Sequence, residues 1–207
     1  MTRTIFLILL LTCFCTAEIT VRVEGPARIP HTSDGPVIIQ QGDSKTHTRP
    51  YIHPLRSPDG KQIACIMREN SRRFQSLVMF SDNEGSTWSP ARELPASLTG
   101  DRHVSCFTDD GRLVVVFRDR AEGSPTYGHY IAWMGTYDDI RYGRSGQYRI
   151  KLLHSHAGAD CGYSGLERLP DGTMVATTYI KYRPGQKKHS IVSVRFKPWE
   201  IDAAFEK

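Results

Sequence analysis

The chain has few of the features that mark membrane proteins or nucleic-acid-binding proteins. Beyond residue 15 no apolar run is long enough to cross a bilayer. The 27 Lys and Arg residues only mildly exceed the 22 Asp and Glu residues, and the two signs are interleaved. This balance does not indicate a nucleic-acid partner. Sustained helical periodicity is also missing between Glu18 and Pro198. We therefore predict one all-β region of short strands.

Cysteine is scarce as well, which limits disulfides and metal sites. Cys65, Cys106 and Cys161 lie far apart, with no C-x-x-C pair, so at most one disulfide is expected and buried free thiols are favoured. The segment 154–161 offers histidine, aspartate and cysteine as ligand types, but such clusters have low specificity. We predict no metal and no cofactor.

The N-terminus has the layout of a secretory signal peptide over residues 1–17. Arg3 precedes the apolar stretch 5–15, and small residues stand before a cleavage point at Glu18. A lipoprotein signal through Cys13 is a weaker alternative. We expect a secreted or periplasmic protein without a membrane span.

Three Asp-Gly pairs divide the rest of the chain into repeats. They end at Gly60, Gly111 and Gly172, and each stands between two strand-like segments, as in a β-hairpin. Further strands are predicted at 75–80, 129–134, 149–154 and 190–196. Sheets of four antiparallel strands that repeat in this way are typical of a β-propeller. The predicted repeats span 47–97, 100–156 and 158–198.

The predicted fold is therefore a partial β-propeller of about three to four four-stranded blades over residues 47–207. Residues 18–46 are predicted to add N-terminal strands at 19–23 and 36–40, together with a linker. A β-sandwich is the alternative, although the aligned hairpins favour the propeller. Three blades leave open sheet edges. Self-association, blades from another chain, or a truncated fragment are the possible explanations.

The string Ser81-Asp82-Asn83-Glu84-Gly85-Ser86-Thr87-Trp88 identifies the kind of propeller. It resembles the Asp box of sialidase-type (neuraminidase, BNR-repeat) propellers. An Asx-turn at Asn83, an unusual backbone angle at Gly85 and a Trp88 ring folded into the apolar space between sheets are expected. The resemblance implies a structural role between outer strands. A degenerate second copy is predicted at 135–139.

The repeat register also brings cationic residues together at one rim. In an antiparallel pair, the start of one strand and the end of the next share an edge. The starts carry Arg49, Arg102 and Tyr163, and the ends carry Arg68, Arg118 and Lys181. Arginine suits the planar, bidentate capture of a carboxylate. For any single position, the alternative to a binding role is a strand end that is simply exposed to solvent.

The segment 160–173 resembles the part of sialidases that carries the nucleophilic tyrosine. The resemblance implies Tyr163 as nucleophile, with Arg49 and Arg118 on the substrate carboxylate and Asp101 as a shorter substitute for the glutamate that activates the phenol. A phenol is neutral until a carboxylate takes its proton, so it approaches an anionic sugar without repulsion. The acid/base aspartate of the family has no clear counterpart.

These observations lead to two hypotheses of different classes. The first is a sialidase-like glycoside hydrolase acting on acidic glycosides through Tyr163 and Asp101, with Arg49, Arg68, Arg102 and Arg118 binding the substrate. The second is a non-catalytic module that binds anionic glycans with the same rim. Both take a carbohydrate partner and no nucleic acid.

Overall fold

The computed structural model describes residues 52–205, which form three antiparallel sheets and two short α-helices. Blade 1 contains β1 (Ile52–Arg56), β2 (Ile63–Met67), β3 (Leu77–Ser81) and β4 (Arg92–Glu93). Blade 2 contains β5 (Gly100–Phe107), β6 (Leu113–Asp119), β7 (Tyr130–Gly135) and β8 (Tyr148–Leu153). Blade 3 contains β9 (Gly162–Arg168), β10 (Met174–Ile180) and β11 (Ser190–Phe196). Within each sheet the strands follow chain order.

The first strands of the three sheets, β1, β5 and β9, lie next to one another. β5 packs against β1 on one side and against β9 on the other. Successive meander sheets joined along their first strands are the blades of a propeller. The predicted all-β, partial β-propeller is confirmed for the described residues, which hold eleven strands. The predicted strands at 19–23 and 36–40, and the predicted signal peptide, lie outside the described residues.

The continuous apolar run of β6 is explained by its burial on both faces. Leu113, Val115 and Phe117 belong to the cluster between blades 1 and 2, whereas Val114 and Val116 belong to the cluster between blades 2 and 3. Because successive side chains of a strand point to opposite faces, a strand with a core on each side needs apolar residues throughout. Blade 2 is therefore the centre of the described fold.

The Asp box forms the predicted turn between β3 and β4. Ser81 Oγ accepts a hydrogen bond from the Gly85 N–H at 2.8 Å, and Asn83 Oδ1 accepts one from the Thr87 N–H at 2.9 Å. Trp88 donates Nε1–H to the Gly85 carbonyl at 3.0 Å. Trp88 remains partly exposed over its own turn, so its predicted insertion between the sheets is wrong.

The predicted second Asp box at 135–139 is also wrong, because this segment starts helix α1 (Tyr137–Tyr142). Thr136 is the N-cap: its side chain accepts from the Asp139 N–H, and Asp139 accepts from the Thr136 N–H at 2.7 Å. Threonine and aspartate three residues apart form a capping box, which uses the same residue types as an Asp-box turn. A second helix, α2 (Pro198–Phe205), follows β11 and was not predicted.

The three cysteines of this part of the chain are free thiols. Cys65 and Cys161 are buried, and Cys106 is partly buried. Neither helix of the described part has the length and apolar character needed to cross a bilayer.

Two glycines with the same backbone angle allow a matched test of the packing around Trp133. Gly146 and Gly60 both have φ +76°. A Cβ at Gly146 would lie 2.4 Å from the Trp133 ring, whereas a Cβ at Gly60 would meet nothing within 4 Å. Gly60→Ala should cost about 1–2 kcal/mol for the left-handed backbone alone. Gly146→Ala should cost about 1–3 kcal/mol more because it overpacks the core.

Urea unfolding of both variants measures this difference in the free energy of unfolding. Equal losses in the free energy of unfolding would show that the residues around Trp133 accommodate the added methyl group without strain.

Candidate functional site

Strand register brings the predicted rim residues to one edge of the fold. Asp101 on β5 pairs with Arg118 at the end of β6, and Gly162 at the start of β9 pairs with Tyr179 on β10. Arg68 directly follows β2. We call this edge the mouth; it carries Arg68, Asp101, Arg102, Arg118, Tyr163 and Lys181. Arg49 lies outside the described residues.

Asp101 is buried at the centre of four guanidinium groups. Arg72 binds it in bidentate fashion, with Nη1 2.7 Å from Oδ1 and Nη2 3.0 Å from Oδ2. Arg118 donates through Nε at 3.1 Å and also through Nη2. The Nε atoms of Arg68 and Arg120 lie 3.8 and 4.0 Å from the carboxylate. We call Arg68, Arg72, Arg118 and Arg120 the arginine cluster.

The electrostatics of the arginine cluster favour a further anion. Burial raises the pKa of the Asp101 carboxyl, but hydrogen bonds from Arg72 and Arg118 outweigh it and leave the pKa below its usual value. Burial lowers the pKa of Arg68, and the guanidinium groups of Arg72, Arg102 and Arg118 lower it further against the opposing effect of Asp101. Within residues 52–205, a single fully buried carboxylate thus lies within 4.0 Å of four guanidinium groups.

Arg118 differs from the other members because the protein itself engages most of its N–H groups. Besides Asp101, it donates through Nη1 to the carbonyl groups of Ala159 and Cys161, the latter at 3.0 Å. Only 11% of its side chain is exposed, compared with 37% for Arg72. Arg118 thus fixes the loop before β9 to blade 2. Its predicted substrate-binding role stays a prediction.

The other half of the mouth surrounds Tyr163. The guanidinium carbon of Arg102 lies 3.5 Å from the centre of the Tyr163 ring, and Arg102 Nη1 donates to the Tyr179 hydroxyl at 2.9 Å. Tyr179 in turn donates to Asp160 at 3.3 Å, and His189 Nε2 lies 2.9 Å from the same carboxylate. Tyr163 therefore shares the mouth with Asp101 through the neighbouring Arg102. The predicted catalytic roles of Tyr163 and Asp101 stay predictions.

Backbone strain is concentrated at the mouth. Arg72, Arg102 and Tyr163 have φ values of 63°, 64° and 53°, and the one further non-glycine residue with positive φ in the described part is Glu84 of the Asp box. The β5–β6 pairing is interrupted after Asp101, and the β9–β10 pairing is interrupted beside Tyr179. Such strain costs roughly 1–3 kcal/mol per residue and clusters at ligand sites. This supports the mouth as a functional site.

A cleft between blades 1 and 2 gives access to the arginine cluster. Its volume is about 390 Å³, and its lining includes three arginines (Arg72, Arg73 and Arg120), two glutamates (Glu69 and Glu122) and the rings of Phe74 and Tyr127. Arg120 Nε is buried and has no hydrogen-bond acceptor among the described residues. The Arg120 guanidinium lies 4.9 Å from the centre of the Tyr127 ring, and Phe74 and Tyr127 are both exposed. We call this space the basic cleft.

Sequence reasoning missed the basic cleft because its residues lie in loops. Arg72 belongs to the loop 68–76 between β2 and β3, and Arg120 follows the end of β6. The three arginines at 68, 72 and 73 were the available signal. The bidentate contact of Arg72 with Asp101 depends on loop geometry that no strand register predicts.

The histidine-rich segment 154–161 shows packing between rings. The His154 ring makes tilted contacts with His129 and His156, with ring centres 4.1 and 4.4 Å apart. Within residues 52–205, no group of three or more His, Cys, Asp or Glu residues has the arrangement needed to hold a metal ion.

The fold resembles solved structures, whereas no protein-family model and no curated protein matches the sequence. A protein of unknown function from Dyadobacter fermentans DSM 18053 superimposes with a TM-score of 0.57 at 16% identity, over 70% of this chain and 36% of that one. This chain thus spans about a third of that protein's length. The likeness shows the fold alone.

Two further structures have lower scores, from which we draw no conclusion. An endo-arabinase from Bacteroides thetaiotaomicron VPI-5482 has a TM-score of 0.45 at 12% identity, over 70% of this chain and 55% of that one. A xylan beta-1,4-xylosidase from Bacillus halodurans C-125 has a TM-score of 0.43 at 16% identity, over 71% and 28%. None of these three proteins is named as a sialidase.

Asp101→Asn tests whether the buried carboxylate holds the arginine cluster together. Removing one partner of a buried ion pair leaves uncompensated charge, so we expect a loss of about 3–5 kcal/mol in the free energy of unfolding at pH 7. Because the folded pKa of Asp101 is lowered, its contribution is complete above about pH 4 and is lost as the pH falls below that value.

Urea unfolding at pH 7 and pH 3 measures both effects, and Asp138→Asn on exposed α1 is the control. A stability of Asp101→Asn equal to that of the control would contradict the proposed role of Asp101. If Asp101→Asn does not fold, urea unfolding of the unmodified protein at pH 7 and pH 3 still shows whether stability is lost below about pH 4.

His103 predicts a separate pH dependence at milder acidity. Its Nε2 donates to the Leu98 carbonyl at 3.0 Å, its ring packs 4.8 Å from Phe117, and burial lowers its pKa to about 4. In the unfolded chain the His103 ring takes up a proton near pH 6.5, whereas in the folded chain it stays neutral at that pH. Stability should therefore fall by about 3 kcal/mol between pH 6.5 and pH 4.

His103→Gln should reduce this pH dependence, as measured by urea unfolding at several pH values. His156→Gln changes an exposed histidine and should retain the full dependence. If the free energy of unfolding depends on pH equally steeply in both variants, groups other than His103 cause the dependence.

Proposed function

We propose that this chain binds acidic glycans, whose carboxylate groups are held by the arginine cluster. The observation that carries the proposal is the buried Nε of Arg120, which lacks an acceptor in the described part and lies at the same cleft as the Arg72 guanidinium. A buried donor without an acceptor is costly, and a ligand carboxylate would supply that acceptor.

The basic cleft determines how such a ligand approaches. Arg72 and Arg120 belong to the arginine cluster and also line the cleft, whereas Arg118 is covered by the protein. The exposed rings of Phe74 and Tyr127 add apolar surface beside the charges. A sugar acid has the matching combination of one carboxylate and an apolar ring face. We therefore assign carboxylate binding to Arg72 and Arg120.

Hydrolysis of acidic glycosides through Tyr163 is the second candidate function. Tyr163 lies at the same mouth, against Arg102, and Asp101 immediately precedes Arg102 in the chain. The sialidase-like segment around Tyr163 supports this candidate. The lowered pKa of Asp101 makes it a weak base, which favours binding over catalysis. A secreted or periplasmic location would suit either function, and so would further blades from a second copy or another chain.

Calorimetric titration with N-acetylneuraminate, glucuronate and galactose tests the binding function. We expect the two acids to bind more tightly than galactose and to weaken as salt is raised. Arg120→Gln should lower the affinity for the acids by about 10- to 100-fold, because a charge-assisted hydrogen bond is lost. Arg144→Gln, which follows α1 at the opposite end of blade 2, should bind as the unmodified protein does.

Equal affinity for acidic and neutral sugars, or no effect of Arg120→Gln, would contradict the proposal. A fluorogenic sialoside separates the two functions. Turnover that is abolished by Tyr163→Phe supports the hydrolase, and binding without turnover supports the module.

A further inference from the structure

One wall of the basic cleft is formed by the loop 120–129, which joins β6 to β7. Arg120 at the start of this loop and Tyr127 near its end both line the cleft, and the Arg120 guanidinium lies over the Tyr127 ring. The loop has little apolar packing of its own, because Ala121 is buried but most of the residues from 122 to 127 are exposed. Its conformation therefore depends on hydrogen bonds and ion pairs.

These polar contacts converge on the side chain of Asp119, the last residue of β6. The Asp119 carboxylate is fully buried. Its Oδ1 accepts a hydrogen bond from the Ala121 N–H at 3.0 Å, and its Oδ2 accepts from the hydroxyl groups of Ser124 and Thr126 at 2.5 and 2.7 Å. Arg149 Nη2 on β8 lies 2.6 Å from Oδ2 and supplies the opposite charge. One side chain thus holds the loop at three points and ties it to β8.

Asp119 influences the cleft through Thr126, which immediately precedes Tyr127 in the chain. The Arg120 N–H donates to the carbonyl group just before β5 at 3.2 Å, so the start of the loop is fixed to the body of blade 2. The Tyr127 N–H donates to the Ser124 carbonyl at 3.1 Å, within the loop itself. Since Asp119 binds the hydroxyl groups on both sides of this turn, the position of the Tyr127 ring against the Arg120 guanidinium follows from Asp119.

We propose that Asp119 is a positioning residue of the binding site. It holds the loop in the conformation that places the Tyr127 ring against Arg120, and the ring in turn orients the Arg120 guanidinium at the basic cleft. This inference rests on the proposed function, since it concerns how that site binds an acidic ligand. The role requires a carboxylate, because both oxygen atoms of Asp119 act as acceptors and an amide has only one.

Thr126→Val tests the role by removing one donor to Asp119 while the buried charge stays paired with Arg149. Calorimetry should show that N-acetylneuraminate and glucuronate bind about 3- to 10-fold more weakly than to the unmodified protein. Thr126→Ser retains the hydroxyl group and should bind both acids within twofold of the unmodified protein. Thr173→Val is the matched control, because the Thr173 hydroxyl also donates to an aspartate, Asp171, at 3.0 Å, but in the turn between β9 and β10. Its affinity for the acids should be unchanged.

A second comparison separates positioning from a general loss of stability. In the Arg120→Gln background, Thr126→Val should change the affinity less than twofold, because the guanidinium that the loop orients is gone. Hydrogen exchange without ligand should be faster over residues 121–127 in Thr126→Val than in Thr173→Val.

Three results would overturn the role of Asp119 and leave the proposed function intact. They are unchanged affinity for the acids in Thr126→Val, an equal loss of affinity in the Arg120→Gln background, and unchanged hydrogen exchange over residues 121–127. If neither acid binds to the unmodified protein, both the proposed function and the positioning role are wrong.

Discussion

The described structure depends on one buried carboxylate among like-charged neighbours. Asp101 permits Arg72 and Arg118 to approach each other at the inner ends of blades 1 and 2, and Arg118 then binds the carbonyl groups that precede β9. A single anion thus connects a loop of blade 1, a strand of blade 2 and the entrance to blade 3. Since four guanidinium groups of the described residues share this one buried carboxylate, the same contact that joins the blades concentrates arginine side chains at the mouth.

The sequence was most informative where local chemistry determines structure. Asp-Gly pairs require turns, and the apolar run 113–117 requires burial on two faces, so the repeats and strand positions were predictable. The shared edge of Arg102, Arg118 and Tyr163 followed from antiparallel register. The sequence was least informative in the loops, where the conformation of Arg72 depends on contacts with distant residues. Thr136 and Asp139 show a further limit, because one residue pattern serves two different turns.

The mouth combines two kinds of chemistry on the two sides of β5. The basic cleft has charge and, among the described residues, a donor without an acceptor, whereas the rings of Tyr163 and Tyr179 lie beside Arg102. The interruption of the β5–β6 pairing after Asp101 allows consecutive side chains to serve the two sides.

The left-handed backbone at Arg72, Arg102 and Tyr163 has a consequence for evolution toward thermostability. Glycine adopts this conformation without a steric penalty, so a selection that rewards only heat resistance would tend to replace the Tyr163 side chain. At Arg72 the loss of the bidentate bond to buried Asp101 would oppose the same replacement. Heat resistance alone would therefore favour glycine at one of these positions and the present side chain at another.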